Sequence, residues 1–549
     1  MPVGKGGSMR TRSRWFVSLV AATLVAGTLV GVSGAPAGAA TSGPKHGGSI
    51  VYALEAETSG GYCLPGANLA PSGIEVVSAI YDTLTTLNTK NQYVPYLAQA
   101  VTPNATFTQW TIQLRPNVKF QDGEALDATA LKLNLDSYRG LNPKISAPLN
   151  AYTFNNITND TVTGPLTVTV DTKVPWPAFP AYLYGSGRFG IMAPAQLANQ
   201  TACSTDLIGT GPFKFVEWRP NQDLKVVRNP NYWRPGLPYL DAIDFEPVTE
   251  SATQLNGLEA GQFDVIQTST ATSILTLRQR KSAGQANEFD TDQGSDVGYG
   301  LINDAKLPFS DKTARLALAY AGDPTQLNTI INQGSETLAY GPFGPGNPAY
   351  LSAAQAKAAG LPTHNLAKAK QMAKLYQQAH GTALSYTFLT VTDPIALQLA
   401  QLVKEQDAKA GIGVTIQAVD QATLINLALA GDFQLETFRN QPGGDPDTQY
   451  IWWHSGSPVN FSGIKDPIID QDLDQGRSET DPAKRTALYR NMNEEFAKQV
   501  YELWTWYTRW AVGAQTDIGG LTGTALPNGG GQPFALYEGV IPTVSLYKK

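Results

Sequence analysis

DPIALQLAQLVKEQDAKAGIGVTIQAVDQATLINLALAGDFQLETF, Asp393 to Phe438, sets the fold class. DPIALQLAQLVKEQDAKAG reads as a helix ending at Gly411, and IGVTIQAV alternates as a half-buried strand does. TLINLALAG is a second helix, and DFQLETF a second strand. Helices and strands in strict alternation imply a sheet flanked by helices, an α/β class.

The same rhythm runs outward from this stretch. DKTARLALAYAGDP is a helix closed by Gly322, and DPTQLNTIINQG starts on the cap pair Asp323-Pro324 and stops at Gly334. NLAKAKQMAKLYQQAHG runs from Asn365 as cap to Gly381 as terminator, and DPAKRTALYRNMNEEFAKQ is a last long helix. Towards the N-terminus, SIVYALEAE is a strand followed by the glycine-rich loop SGGYCLPGA. GIEVVSAIYDTLTTL has helical spacing at Val76, Ile80 and Leu84. FTQWTIQLRP and PLTVTVDTKV alternate as strands, and Asp127 is placed to cap the helix between them. FKFVEW and DLKVVRN flank RPNQ as a hairpin that offers Phe213, Phe215, Leu224 and Val226 to a core.

The chain has 549 residues, 42% hydrophobic and 16% charged, with a net charge of −6. That is enough for two or three domains, too apolar for disorder, and without the positive charge that nucleic acid attracts. Arg10, Arg12 and Arg14 precede an apolar run from Trp15 to Val32, and Ala37 and Ala39 stand where a signal peptidase reads small residues. Residues 1–40 are therefore expected to be a signal peptide, with an uncleaved anchor as the alternative, and the leader holds no cysteine to carry a lipid. An exported chain sits in an oxidising compartment, so its two cysteines, Cys63 and Cys203, are expected to be bridged rather than free. The four histidines show no ligand spacing, and no metal or other cofactor is expected. No GxSxG elbow or HExxH helix is present, and Asp445 with Asp447 is a carboxylate pair of the kind that chance supplies. No catalytic residue is assigned.

Six blocks, in order, carry a resemblance. They are WTIQLRPNVKFQDGEAL, GTGPFKFVEW with VVRNPNYW, LNGLEAGQFDVI, ARLALAYAGDPTQL, GIGVTIQAVDQATLINLALAGDFQLETF and SETDPAKRTALYRNMNEEF. Over about residues 48–510 the chain resembles the family 5 extracellular solute-binding proteins, the oligopeptide, dipeptide and nickel receptors of ABC importers. The resemblance implies a periplasmic-binding-protein type II-like fold of two lobes, with a subdomain inserted in the first. Lobe one is then 41–89 and 206–298, the insertion 90–205, lobe two 299–510, and 511–549 the return to lobe one. Gly298 and Gly300 would let the crossing near Val297–Asn303 bend. Arg228, Asn229, Tyr232 and Trp233 would fix the chain's return into lobe one rather than bind ligand.

The resemblance also places the ligand between the lobes, against Phe438–Gly463 and the loop of Tyr62 and Cys63. Candidate ligand contacts are Tyr62, Arg439, Asn440, Gln441, Asp445, Trp452, Trp453 and Asn460. Arg439 suits a carboxylate, and the adjacent tryptophans offer flat apolar faces, of which a strand would turn only one into the cleft. Peptide receptors of this type show an acidic residue four positions before the Pro of Asp-Pro, and here that place is Pro442. The expected function is a non-catalytic receptor, monomeric, for a peptide or peptide-like solute delivered to an ABC permease. The alternatives are a sensor or scavenger without a transporter and a secreted carbohydrate-active protein.

Overall fold

Ser49–Leu54, the strand expected from SIVYALEAE, lies at the centre of a seven-stranded sheet. It pairs in parallel with Ala242–Pro247 on one side and Val265–Thr268 on the other. Ile50, Tyr52 and Leu54 enter one core and Ala53 the opposite one, so both faces are covered, as parallel strands require. Asp223–Arg228 and Phe213–Arg219 extend one side, and Trp510–Ala514 and Asn287–Thr291 the other. The structure, a computed structural model, describes residues 44–549 apart from Ser59, Asn68 and Pro442, and without the side chains of Gln421 and Ala422. The expected leader and Pro442 thus lie outside the described residues.

The second sheet has six strands in the order Thr337–Leu338, Glu502–Tyr507, Val297–Ile302, Leu435–Asn440, Ser385–Val391 and Gly413–Val419. Its last two strands are parallel and joined through helix Pro394–Lys409, the crossover that the opening stretch encodes. Between the first sheet's outer strands and its centre, the chain makes a four-stranded antiparallel sheet, Ala98–Pro103, Gln109–Leu114, Thr167–Thr172 and Ile157–Gly164. Helix Ala128–Tyr138 packs on it, capped by Asp127, whose side chain accepts from the N–H groups of Thr129 and Ala130 at 2.9 Å.

Two short connections join the large sheets: residues 292–296, and Thr508 with Arg509. Arg509 ties both down, donating to Asp290 at 2.8 Å and Asp292 at 2.7 Å, while its backbone N–H donates to Glu336 at 2.8 Å. Gly298 and Gly300 lie inside the strand Val297–Ile302, paired on both edges, and not in either connection. Two flanking strands hold their backbone.

The hairpin Phe213–Arg219 with Asp223–Arg228 buries Phe213, Leu224 and Val226, and half-buries Phe215. Behind it, Asp82 accepts from Thr210 Oγ1 and Tyr232 Oη at 3.0 Å and from Trp233 Nε1 at 2.8 Å. A Cβ at Gly209 or Gly211 would come within 2.1 or 2.5 Å of the Ile80 backbone, which is why Thr210 is flanked by glycines. Helix Pro71–Ile80 ends before Leu84, which stands just ahead of the strand Thr85–Leu87 instead of in a further helical turn. Cys63 and Cys203 are bonded, with Cα atoms 4.7 Å apart. Among the described residues no helix is long and apolar enough to cross a membrane.

Candidate functional site

Glu55 follows directly on the central strand of the first sheet, where parallel strands deliver their C-terminal ends to a crevice. Its carboxylate accepts from Ser269 N–H at 2.6 Å and Ser269 Oγ at 2.8 Å. Across the crevice, Arg439 near the end of Leu435–Asn440 reaches back, with Nη2 3.9 Å from Glu55 Oε1 and its guanidinium 5.7 Å from the Trp510 ring centre. Its side chain remains 45% exposed, so the cation is available to a further partner. Asp296, in the first connection, is buried beside them with Oδ1 unpartnered. Burial raises its pKa, and Arg439 and Arg188 pull against that rise. Behind it Glu538 binds Ser186 Oγ at 2.6 Å and Arg188 at 3.0 Å, and burial pushes its pKa up to about 7. The crevice floor therefore carries carboxylates and guanidinium groups in close alternation.

The strand bearing Arg439 has one free edge. Leu435–Asn440 pairs along its length with Val297–Ile302. With Ser385–Val391 it pairs only at Leu435 and Glu436, so Thr437–Asn440 have no strand partner on that side. Open N–H and C=O groups facing a crevice suit an added strand.

The residues picked from sequence divide by what holds them. Asn440 is buried, donating to Gln449 Oε1 at 3.4 Å with Oδ1 unpartnered, and the Gln441 carbonyl accepts from Gln449 Nε2 at 2.9 Å. Asp445 forms a two-point ion pair with Arg485 and accepts from Asp447 N–H at 2.8 Å, capping the turn Pro446–Gln449. Trp452 and Trp453 stand on the short helix Tyr450–Trp453, not on a strand. Trp453 is buried, its Nε1 donating to Gln449 at 2.7 Å, and Trp452 packs on Phe438 and Phe461. Asn460 staples its own loop, donating to the Ile464 carbonyl at 2.7 Å. Tyr62 is 2% exposed and sits edge-on to Trp218 at 5.0 Å, inside lobe one. The loop of Tyr62 is fixed by the Cys63–Cys203 bond and by its N–H donating to the Ser204 carbonyl at 3.3 Å.

Glu55, just after the first strand, and Asp296, just before the crossing strand, were not among the expected contacts. Asp447 was missed as a junction. It accepts from Trp176 Nε1 at 2.8 Å, Arg477 Nε at 3.0 Å and Tyr489 Oη at 3.1 Å, while Tyr182 Oη donates to its carbonyl at 2.7 Å. These contacts fasten the inserted segment to the second sheet's lobe. Among the described residues no three His, Cys, Asp or Glu side chains gather as a metal-ligand set.

Residues 92–461 match the family model described as bacterial extracellular solute-binding proteins, family 5 Middle. The chain belongs to this family. As a family 5 member it is a solute-binding protein and not an enzyme. It is 27% identical over 439 residues to the glutathione-binding protein GsiB of Salmonella paratyphi A, covering 77% of this chain and 82% of that protein. The corresponding protein of Pectobacterium atrosepticum is 25% identical over 436 residues, covering 76% and 81%. Among solved structures, AgaA from A.tumefacien R10 with agropinic acid superposes with a TM-score of 0.79 at 22% identity, covering 91% of this chain and 99% of that one. AppA from Bacillus subtilis with a nonapeptide gives 0.77 at 20% identity, covering 92% and 100%. The fold is thus the two-lobed, type II-like periplasmic-binding-protein fold with α/β lobes.

Proposed function

We propose that this family 5 member captures a peptide or peptide-like solute in extended form between its lobes and delivers it to an ABC permease outside the cytoplasmic membrane. The observation that carries this reading is the open strand edge Thr437–Asn440, set beside Arg439 and facing Glu55 and Asp296. An extended backbone can add to such an edge, while the solute's anionic and cationic ends meet the guanidinium and the carboxylates. Glu55 and Asp296 then do for an amine what a carboxylate at position 442 does in the peptide receptors that the chain resembles. Residues 292–296 and Thr508–Arg509 are the hinge in this reading, and the leader directs export. The glutathione-, peptide- and opine-binding relatives are consistent with a small zwitterionic solute.

The test is to purify the chain, identify retained small molecules by denaturing mass spectrometry, and screen peptides by thermal shift. Recovery of an unchanged solute that raises the melting temperature is expected. Arg439→Gln should weaken its binding at least about tenfold, the scale of a lost charge-assisted contact. Chemical turnover of the solute, or equal affinity in Arg439→Gln and Glu55→Gln, would overturn the proposal.

A further inference from the structure

The six-stranded sheet is covered unevenly on the face that carries Ile302, Leu435 and Leu503. Helix Pro324–Ile331 packs over Glu502–Tyr507 and Thr337–Leu338, whereas helix Pro394–Lys409 packs over Ser385–Val391 and Gly413–Val419. The two strands between them turn Gly298, Gly300 and Thr437 to this face. The two helices meet where Gln406 bonds Asp323 and Gln326, and over the glycines, which carry no side chains, a cavity of about 640 Å³ remains. That volume falls within the ~300–1,000 Å³ of small-molecule sites, and close-packed interiors do not otherwise keep such a space.

The cavity wall is mainly apolar, with Leu318, Leu327, Phe388, Leu399, Val403 and Leu503 its largest apolar contributors. Two polar groups on it are already engaged. Asp407 accepts from Tyr386 Oη at 2.6 Å, and Gln406 Oε1 accepts from Asp323 N–H at 3.0 Å. Thr325, Lys357, Thr437 and Thr505 also line the cavity, so its wall is mainly rather than wholly apolar. The cavity meets the interlobe crevice at Gly298 and Arg439, whose guanidinium faces the Trp510 ring at 5.7 Å and comes within 3.9 Å of Glu55. A mainly apolar chamber therefore ends on an exposed cation.

We propose that lobe two holds the apolar chain of the bound solute in this cavity, with an anionic group of the same solute at Arg439. The ligand class is a monoanionic amphiphile with an aliphatic or aromatic body, such as a peptide ending in a long apolar side chain. This rests on the solute-binding reading above, but it adds a chamber inside one lobe to the crevice between two. Gly300 is the selective element. A Cβ there would meet Leu503 and Leu435 at 3.4–3.7 Å, ordinary contact, and a larger side chain would extend into the space.

The probe is 8-anilinonaphthalene-1-sulfonate, titrated by fluorescence into the purified chain, with dodecanoate and acetate as competitors. One saturable site is expected, displaced by dodecanoate and not by acetate. Gly300→Phe should lower probe affinity at least about tenfold, Thr437→Leu should lower it in the same direction, and Gly300→Ala should leave it within about twofold. Arg439→Gln should weaken the probe about tenfold as well. Melting temperatures of Gly300→Phe and Thr437→Leu at or above wild type would show that the lobe is intact, and Thr437→Leu decides if Gly300→Phe melts early. Unsaturable binding, or wild-type affinity in the filled variants or in Arg439→Gln, overturns the proposal. Failure of the receptor reading looks different: no solute of any kind is retained by the wild type. A solute retained equally by wild type and Gly300→Phe overturns the cavity alone.

Discussion

Glu436 is fully buried on the strand Leu435–Asn440, and neither carboxylate oxygen has a partner. Burial pushes its pKa up to about 8 from an ordinary 4.5, so the side chain is neutral in the folded protein at pH 7. Glu502, on the next strand but one, is raised well above its ordinary value by the same cause. A raised folded pKa contributes stability in full below the unfolded value and loses it as pH rises to the folded one. Stability should therefore fall between about pH 4.5 and 8. Glu436→Gln should flatten that fall and raise stability at pH 8 by about 2 kcal/mol or more, since a tenfold difference in proton affinity between folded and unfolded chains is worth about 1.4 kcal/mol. Urea titrations at pH 5 and pH 8 check both, and an identical loss of stability between the two pH values in both proteins would refute it. Burial raises the pKa of Asp82 as well, but three donors meet its carboxylate. Asp82→Ala strands all three and should cost about 3 kcal/mol or more in the same titrations.

At the scale of elements, what was legible was what is local. Asp127, Asp323 and Asn365 cap the helices they were expected to cap, and Asp481 caps the last long one, because a cap needs only its own next three residues. The hairpin before Arg228 also depends on nearby residues, and its alternation correctly assigned Phe213, Leu224 and Val226 to the core. Of the expected ligand contacts, Arg439 and Asn440 lie on the strand Leu435–Asn440 and Gln441 follows it directly, so one local segment supplies them. Trp453, Asp445 and Asn460 look like binding residues in isolation, but partners such as Arg485, Gln449 and Ile464 use them for structure. Glu55 and Asp296 meet Arg439 from far along the chain, a juxtaposition that no spacing encodes. One such long-range tie was expected, the bond of Cys63 to Cys203, which spans 140 residues. Replacing both cysteines by serine should cost about 2–5 kcal/mol by freeing the unfolded chain. It should also speed hydrogen exchange at the Tyr62 amide, which the bridge holds against Ser204. Unchanged exchange there would mean that packing of Tyr62 on Trp218 alone fixes the loop.

At the scale of the whole molecule, a buried junction ties the inserted segment to the second lobe. Asp447 and Arg477 belong to the second lobe, and Trp176 and Tyr182 to the inserted segment. Arg477 donates to Tyr182 Oη at 3.0 Å as well, and all four side chains are buried. Lobes that separated would expose this cluster to water and lose the Trp176 and Tyr182 contacts, while Asp447 and Arg477 stayed paired. Were the lobes to part at this junction, only the closed state would gain from the hydrogen bonds of the inserted segment. Burial works to raise the pKa of Asp447, but Arg477, Arg485 and the Trp176 donor outweigh it and hold the carboxyl below its ordinary 3.8. A depressed pKa contributes above the unfolded value and is lost as pH falls through the folded one, so acid below about pH 3.8 should release the junction. Trp176→Phe keeps an aromatic ring and removes one donor. It should leave secondary structure unchanged at pH 7, widen the radius of gyration in X-ray scattering, and weaken solute binding by about three- to tenfold, the worth of one hydrogen bond to a charge. A variant with wild-type scattering and affinity would show that the crevice contacts alone bring the lobes together, and that the inserted segment serves as structure without a part in closure.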